Sequence, residues 1–206
     1  MMKFLHFIFG LVIIAGFAAC SSDKPEKKAA SNTVKKSQLP QPFRFHKAVE
    51  VKPGLTFDVL GWGRGAELIG GLLILRSDSV HSHYRSVSDE LEGRLVDTWN
   101  MDMDSDGNPE IFVHAVSGDE GKPSLNLLVY EFNSSGSAQK LHFPDLSSGT
   151  KKQYRGKDSL YVKEGSLMRQ FPLFEETDTA GVKPAGMKLL EYRLRGNSFS
   201  VKEVEE

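Results

Sequence analysis

The sequence predicts an all-β fold, an antiparallel β-sandwich or a barrel-like closure of the same strands. Three observations carry this prediction. Strand-sized segments recur at short, even intervals after residue 43, Gly and Pro punctuate the gaps between them, and no segment holds an apolar stripe at helical spacing. No internal repeat strong enough for a propeller is visible in the residues.

The elements follow in order. Phe43-Arg44-Phe45-His46, continuing through Val51, alternates as a half-buried strand does. Pro53-Gly54 turns the chain into Thr56 to Leu60, and Leu72 to Leu75 is an apolar run suited to a buried central strand. Between them, Gly61-Trp62-Gly63-Arg64-Gly65 has the glycines of a phosphate loop but neither its Lys-Ser/Thr ending nor a following helix, so it reads as a hairpin. Trp62 is expected in the core, because large aromatic rings usually supply buried area. Val80 to Val87, Arg94 to Met101, Ile111 to Val116, Leu125 to Phe132 and Gln139 to Phe143 continue the series, with "SGDEGKP" and "NSSGS" as loops. Ser159 to Val162, Leu167 to Phe171, Met187 to Leu194 and Phe199 to Val204 complete it.

The chain in front of these strands reads differently. Met1-Met2-Lys3 followed by an apolar stretch to Ala19 resembles a secretory signal peptide, residues 1–19, too short and Gly-broken for a comfortable membrane span. Phe17-Ala18-Ala19-Cys20 is similar to a bacterial lipobox, in which Cys20 would be lipidated and become the mature N-terminus. The expected location is therefore the cell envelope, as an outer-membrane lipoprotein facing the periplasm or the cell surface. Cys20 is the only cysteine, so the fold is expected to rely on its core rather than on a disulfide. Residues 20–42 are rich in Lys, Ser, Ala and Pro and cannot offset their own ordering entropy, which makes them a flexible tether. Residues 43–206 then form a single domain.

Charge excludes one class of partner. The whole chain has 26 basic and 27 acidic residues; removing residues 1–19 takes away Lys3 and no acid, leaving a formal charge of −2. Such a balance gives no electrostatic footprint for nucleic acid. Lys24, Lys27, Lys28, Lys35 and Lys36 in the tether suit anionic headgroups or wall polymers, with simple solvation as the alternative.

Few constellations could carry chemistry. Asp102, Asp104 and Asp106, followed by Gly107, match the opening of a calcium loop, with the Asn108 carbonyl and Glu110 completing a short cage. Val113 stands where an EF-hand needs its bidentate Glu, and no helices flank the motif, so an EF-hand is excluded. The alternative is turn chemistry, with carboxylates capping backbone amides ahead of the next strand. His81 and His83, two apart on an expected strand, share one face, but a metal would need a third ligand such as His114. The sequence holds no Gly-x-Ser-x-Gly elbow, and the acid pairs Glu175-Glu176 and Asp89-Glu90 fall in polar stretches where solvation accounts for them. These residues predict no enzyme and require no cofactor.

"DMDSDGNPEIFVHAVSG", "LNLLVYEF", "YRGKDSLYVKEGSLMRQFPLFEETDTA" and "KLLEYRL" together resemble the periplasmic inhibitors of invertebrate-type (I-type) lysozyme. In that family an Asp-x-Asn/Asp-x-Asp-Gly-x-Pro-Glu-Leu turn enters a strand, a Ser-Gly-rich loop follows, and a Gly-Tyr-x-Gly-x-Asp segment precedes a Leu-Val-Arg-x-Phe-Pro strand. Asp102, Asp106, Gly107, Pro109, Glu110, Gly156, Asp158, Arg169, Phe171 and Pro172 fall on those points, within a match over roughly residues 95–195. The resemblance implies an antiparallel β-domain, often dimeric, whose loop after the Pro-Glu strand plugs a lysozyme cleft. There a protruding Ser and Tyr of the family occupy the space between the two catalytic carboxylates.

In this sequence that loop runs from Ser117 to Ser124, and Ser117, Gly118, Asp119, Glu120, Lys122 and Ser124 are its expected contact residues. It lacks the family's Tyr. Asp119 and Glu120 would meet acids in a lysozyme cleft at a cost in binding, although they suit the basic rim of a cationic lysozyme. The expected function is thus a lipid-anchored binding protein directed at an I-type or other lysozyme; the resemblance, to a family often dimeric, leaves a homodimer and a monomer both open. The alternative is a structural or ligand-binding outer-membrane lipoprotein of the same fold without inhibitory activity, its turn stiffened by calcium.

Overall fold

The computed structural model describes residues 39–65, 68–118 and 123–204. The expected signal peptide, Cys20 and most of the tether lie outside the described residues. The architecture is all-β, as the alternation and turn spacing predict. Twelve strands are β1 (Phe43–Lys52), β2 (Leu55–Trp62), β3 (Ile69–Asp78), β4 (His83–Glu92), β5 (Arg94–Met101), β6 (Glu110–Ser117), β7 (Ser124–Phe132), β8 (Ala138–Leu141), β9 (Ser159–Lys163), β10 (Ser166–Phe174), β11 (Pro184–Arg195) and β12 (Ser198–Glu203); α1 spans Ser148–Gln153.

They form three four-stranded antiparallel sheets, β1–β4, β5–β8 and β9–β12, each a meander in which every strand pairs with its neighbour in sequence. The repetition is one of topology, without a counterpart in residue type. Consecutive strands joined by short turns need no crossover, which is why the local pattern was enough to place them.

Two cores lie on opposite faces of the middle sheet. On one face, Ile111, Val113 and Ala115 of β6 with Tyr130 and Phe132 of β7 pack against Phe57, Val59, Leu72 and Ile74 of the first sheet. On the other, Phe112, Leu127 and Val129 pack against Leu167, Phe171, Leu190 and Tyr192 of the third. Successive side chains of β6 and β7 thus enter different cores, which is the physical reason those strands read as nearly unbroken apolar runs. Leu72 to Leu75 does occupy an interior strand of its sheet, but only Leu72 and Ile74 are fully buried.

Three local expectations are corrected. Trp62 is 44% exposed, because alternation along β2 sends Leu55, Phe57 and Val59 into the core and Trp62 to the opposite face. Its ring lies flat on the sheet where Gly71 leaves room: a Cβ there would sit 2.6 Å from the indole. Residues 79–82 form a turn, with Ser82 at φ 55°, so β4 begins only at His83. Helix α1 has no buried residue and hence no apolar stripe, so it does not stand out in the residue pattern. It is held instead by the Ser147 hydroxyl, which accepts from Thr150 N at 3.2 Å, and by Lys151 and Lys152 in its last turn.

Candidate functional site

The candidate residues gather at the two ends of β6. Its eight residues separate those ends by roughly 24 Å at the usual strand rise.

The first end is the turn from β5 into β6. Two of its carboxylates do what turn chemistry predicts. Asp102 accepts from the backbone N–H groups of Asp106 and Gly107, both at 3.1 Å, and Asp106 accepts from the Asn108 backbone at 2.7 Å and side chain at 2.8 Å. The Asn108 amide nitrogen is therefore turned toward Asp106. The other two carboxylates do something else. Glu110 is completely buried; its Oε2 accepts from Met103 N at 2.8 Å, while Oε1 and the Asp104 Oδ1 are buried without any hydrogen-bond partner.

Burial pushes the Glu110 carboxyl up to about 7, with the Asp104, Asp102 and Glu131 charges acting in the same direction. Glu131, the direct cross-strand partner of Glu110 on β7, is also held above its usual range, first by burial and then by the three aspartates. Like charges directly opposite one another destabilise a strand pair, so this corner stores unfavourable electrostatics. Glu131 belongs to it, and sequence reading missed it: the side chain is more than twenty positions from the motif and only the β6–β7 register brings it there.

The second end is the β6–β7 hairpin, closed by the Ser117–Ser124 pair. Gly118 at its start is exposed, and Asp119, Glu120 and Lys122 lie outside the described residues. The root is gripped from both sides. From the first sheet, the Glu92 carbonyl accepts from Asn126 Nδ2 at 2.8 Å, and Gly93, at φ +100°, lies so close that a Cβ would come within 2.7 Å of the Val116 oxygen. From the segment between α1 and β9, the Tyr154 hydroxyl accepts from Leu125 N at 3.2 Å and in turn donates to Asp158. Gly156, at φ +80°, packs so tightly that a Cβ would stand 1.8 Å from the Pro123 oxygen. No other residue type fits there without moving the chain.

Asp158 is anchored by Arg169, whose Nε lies 2.7 Å from Oδ1, with both side chains 6% exposed. The guanidinium also stacks 5.3 Å from the Tyr154 ring and 5.1 Å from Phe171. Burial is the largest single influence on Arg169 and works to lower its pKa, but the Asp158 charge and hydrogen bond, together with Tyr192 and Tyr154, outweigh it and hold the guanidinium above the usual arginine range. Burial and the Asp158 bond hold the Tyr154 phenol above its usual range. His114, on the same face of β6, is lowered by burial, against the opposing pull of Asp158 and Asp97. Beside this brace is a cleft of about 400 Å³ lined by Ser124, Leu125, Phe143, Lys151, Tyr154 and Arg169 among others.

The histidine pair separates. His81 sits in the 79–82 turn, where its Nδ1 lies 3.0 Å from both oxygens of Asp78, whereas His83 opens β4. Among the described residues, no group of three metal-capable side chains includes either of them or His114. Asp89 is not merely solvated: it sits in β4 and accepts from the Tyr130 hydroxyl at 2.6 Å and from Lys140 Nζ at 2.5 Å.

Gly156, Asp158 and Arg169, spread along the sequence and shared with the resemblance noted above, converge on the root of one hairpin, while Asp102, Asp106, Gly107 and Glu110 converge on the opposite end of β6. No protein-family model matches the chain, and no curated protein does.

Proposed function

We propose that this chain is a lipid-anchored envelope protein that binds a macromolecular partner through the Ser117 to Ser124 hairpin, in the manner of the lysozyme inhibitors it resembles. The observation that supports this most is the two-sided grip on the hairpin root. A loop whose base is immobilised before a partner arrives loses less conformational entropy on docking, which is the advantage of a preorganised binding loop. In this reading its work is contact: the buried Tyr154, Asp158 and Arg169 bond to one another and so brace the hairpin root.

One observation favours a second reading, an envelope lipoprotein that keeps the scaffold without inhibiting a lysozyme. The loop contains no Tyr, and Tyr154 at its root does not replace one, because its hydroxyl is held by Asp158 and Leu125. Inhibition assays on the full chain against I-type and other lysozymes separate the two. The first reading expects inhibition that falls at least tenfold when Ser117, Asp119 and Glu120 are replaced together by Ala. Absence of inhibition toward every lysozyme class leaves only the second.

A further inference from the structure

We propose that Asp102, Asp104, Asp106 and Glu110 form a calcium site that closes the turn between β5 and β6. Each of these residues offers one carboxylate oxygen, and the four oxygens all lie within 4.8 Å of one another. Oxygens on opposite sides of a calcium ion at 2.3–2.6 Å are separated by about 4.6–5.2 Å, so one ion can touch all four without the turn opening.

Acidic turns are common without an ion, and the spacing alone would carry little. The decisive feature is Glu110. It is wholly buried on the first position of a strand covered on both faces, and its Oε1 has no hydrogen-bond donor. Asp104 Oδ1, another member of the four, is likewise buried without a donor. A buried carboxylate oxygen with no partner is costly, and a bound cation satisfies several such oxygens at once while neutralising their charge.

The neighbouring Glu131 shows the contrast. With the Asn197 amide oriented so that its nitrogen faces Glu131, Oε2 receives a bond of 2.8 Å. Protein donors thus reach the outer glutamate but not the inner oxygens of Glu110 and Asp104. Asp102 and Asp106 use their oxygens to hold backbone amides, but a carboxylate has lone pairs for both tasks. The all-oxygen set selects a hard cation. Four protein carboxylates around one point favour calcium over magnesium, which dehydrates reluctantly and is seldom held in an all-protein cage.

The test uses the full-length chain, purified in detergent and stripped with EDTA, then titrated with calcium chloride by calorimetry and thermal melting. A saturable heat of binding is expected, together with a rise in Tm of about 5–10 °C at a hundredfold excess over Kd. Magnesium at equal concentration should give less than half that rise. Glu110→Gln should raise the Tm of the stripped protein, since it removes a buried repulsive charge, while abolishing the calcium shift. Should that variant fail to fold, Asp104→Asn, at the half-buried rim, should weaken calcium binding at least tenfold. No heat and no change in Tm up to about 10 mM calcium, ten times the weakest Kd of such modules, would overturn the proposal. So would wild-type calcium binding in whichever of these variants folds. A magnesium response equal to that of calcium would overturn the choice of ion.

Discussion

Arg169 and Asp158 meet at 2.7 Å, both almost fully buried, and together they carry the Tyr154 hydroxyl that receives the first backbone N–H beyond Ser124 on β7. An ion pair so enclosed is sensitive to removal of one partner, because the other is left as an uncompensated buried charge. Arg169→Met or Asp158→Asn alone should cost about 3–5 kcal/mol, whereas the double substitution should recover part of that loss. Thermal melts of the three variants check the pattern. Equal, additive losses would show that the pair is not coupled.

The Gly156 contact makes a sharper geometric claim. Gly156→Ala places a Cβ against the Pro123 carbonyl at a backbone conformation that L-residues rarely adopt, so it should destabilise by roughly 1–3 kcal/mol. Hydrogen exchange of the amides around 123–125 should speed up first. Gly149 in α1 supplies the control: nothing lies within 4 Å of its Cβ position, and Gly149→Ala should be neutral or stabilise by up to about 1 kcal/mol.

Asp89 gives a pH dependence with a definite sign. The bonds from Lys140 and from Tyr130 hold its carboxyl below the usual carboxylate range. A folded pKa lower than the unfolded one, near 4, means the contribution is present above about pH 4 and is lost as pH falls through the folded value. Tyr130 has the opposite sign: burial, reinforced by Asp89, raises its phenol, so its contribution is complete below about pH 10 and declines above it. Denaturant titrations from pH 2 to 6 should show a steeper acid loss in the wild type than in Asp89→Asn. Identical slopes would remove Asp89 from the account.

Phe112 and Trp62 test which aromatic residues the cores use. Phe112 is fully buried, stacked 5.4 Å from Trp99 and edge-on to Phe199 at 6.5 Å. Phe112→Ala should cost about 3–5 kcal/mol and shift Trp99 fluorescence to the red. Trp62→Ala, on the outer face of the first sheet, should cost about 1 kcal/mol or less. Guanidinium unfolding curves with matched slopes provide both numbers.

The strands were legible because their signals are local. Alternation from Phe43, the Pro53-Gly54 turn and the loops at 118–123 and 133–137 each report on neighbours in the chain, and antiparallel meanders use only such neighbours. Trp62 was misread because aromatic size says how much area could be covered, while the pleat decides on which face it falls. His81 was misplaced because residues 79–82 turn, with Ser82 at a positive φ that its residue type does not demand, so the strand starts only at His83.

By itself, then, the amino-acid order settled where the chain extends and where it turns, and it marked the acidic turn and the Ser-Gly loop as unusual. Tertiary structure decided that the strands divide into three stacked sheets with β6 and β7 covered on both faces, that Glu131 faces Glu110, and that Tyr154, Gly156, Asp158 and Arg169 grip one hairpin. The division follows from the physics. Periodicity records whether a side chain is covered, but the identity of what covers it depends on register between strands far apart in the chain, and that is chosen only when the whole core packs.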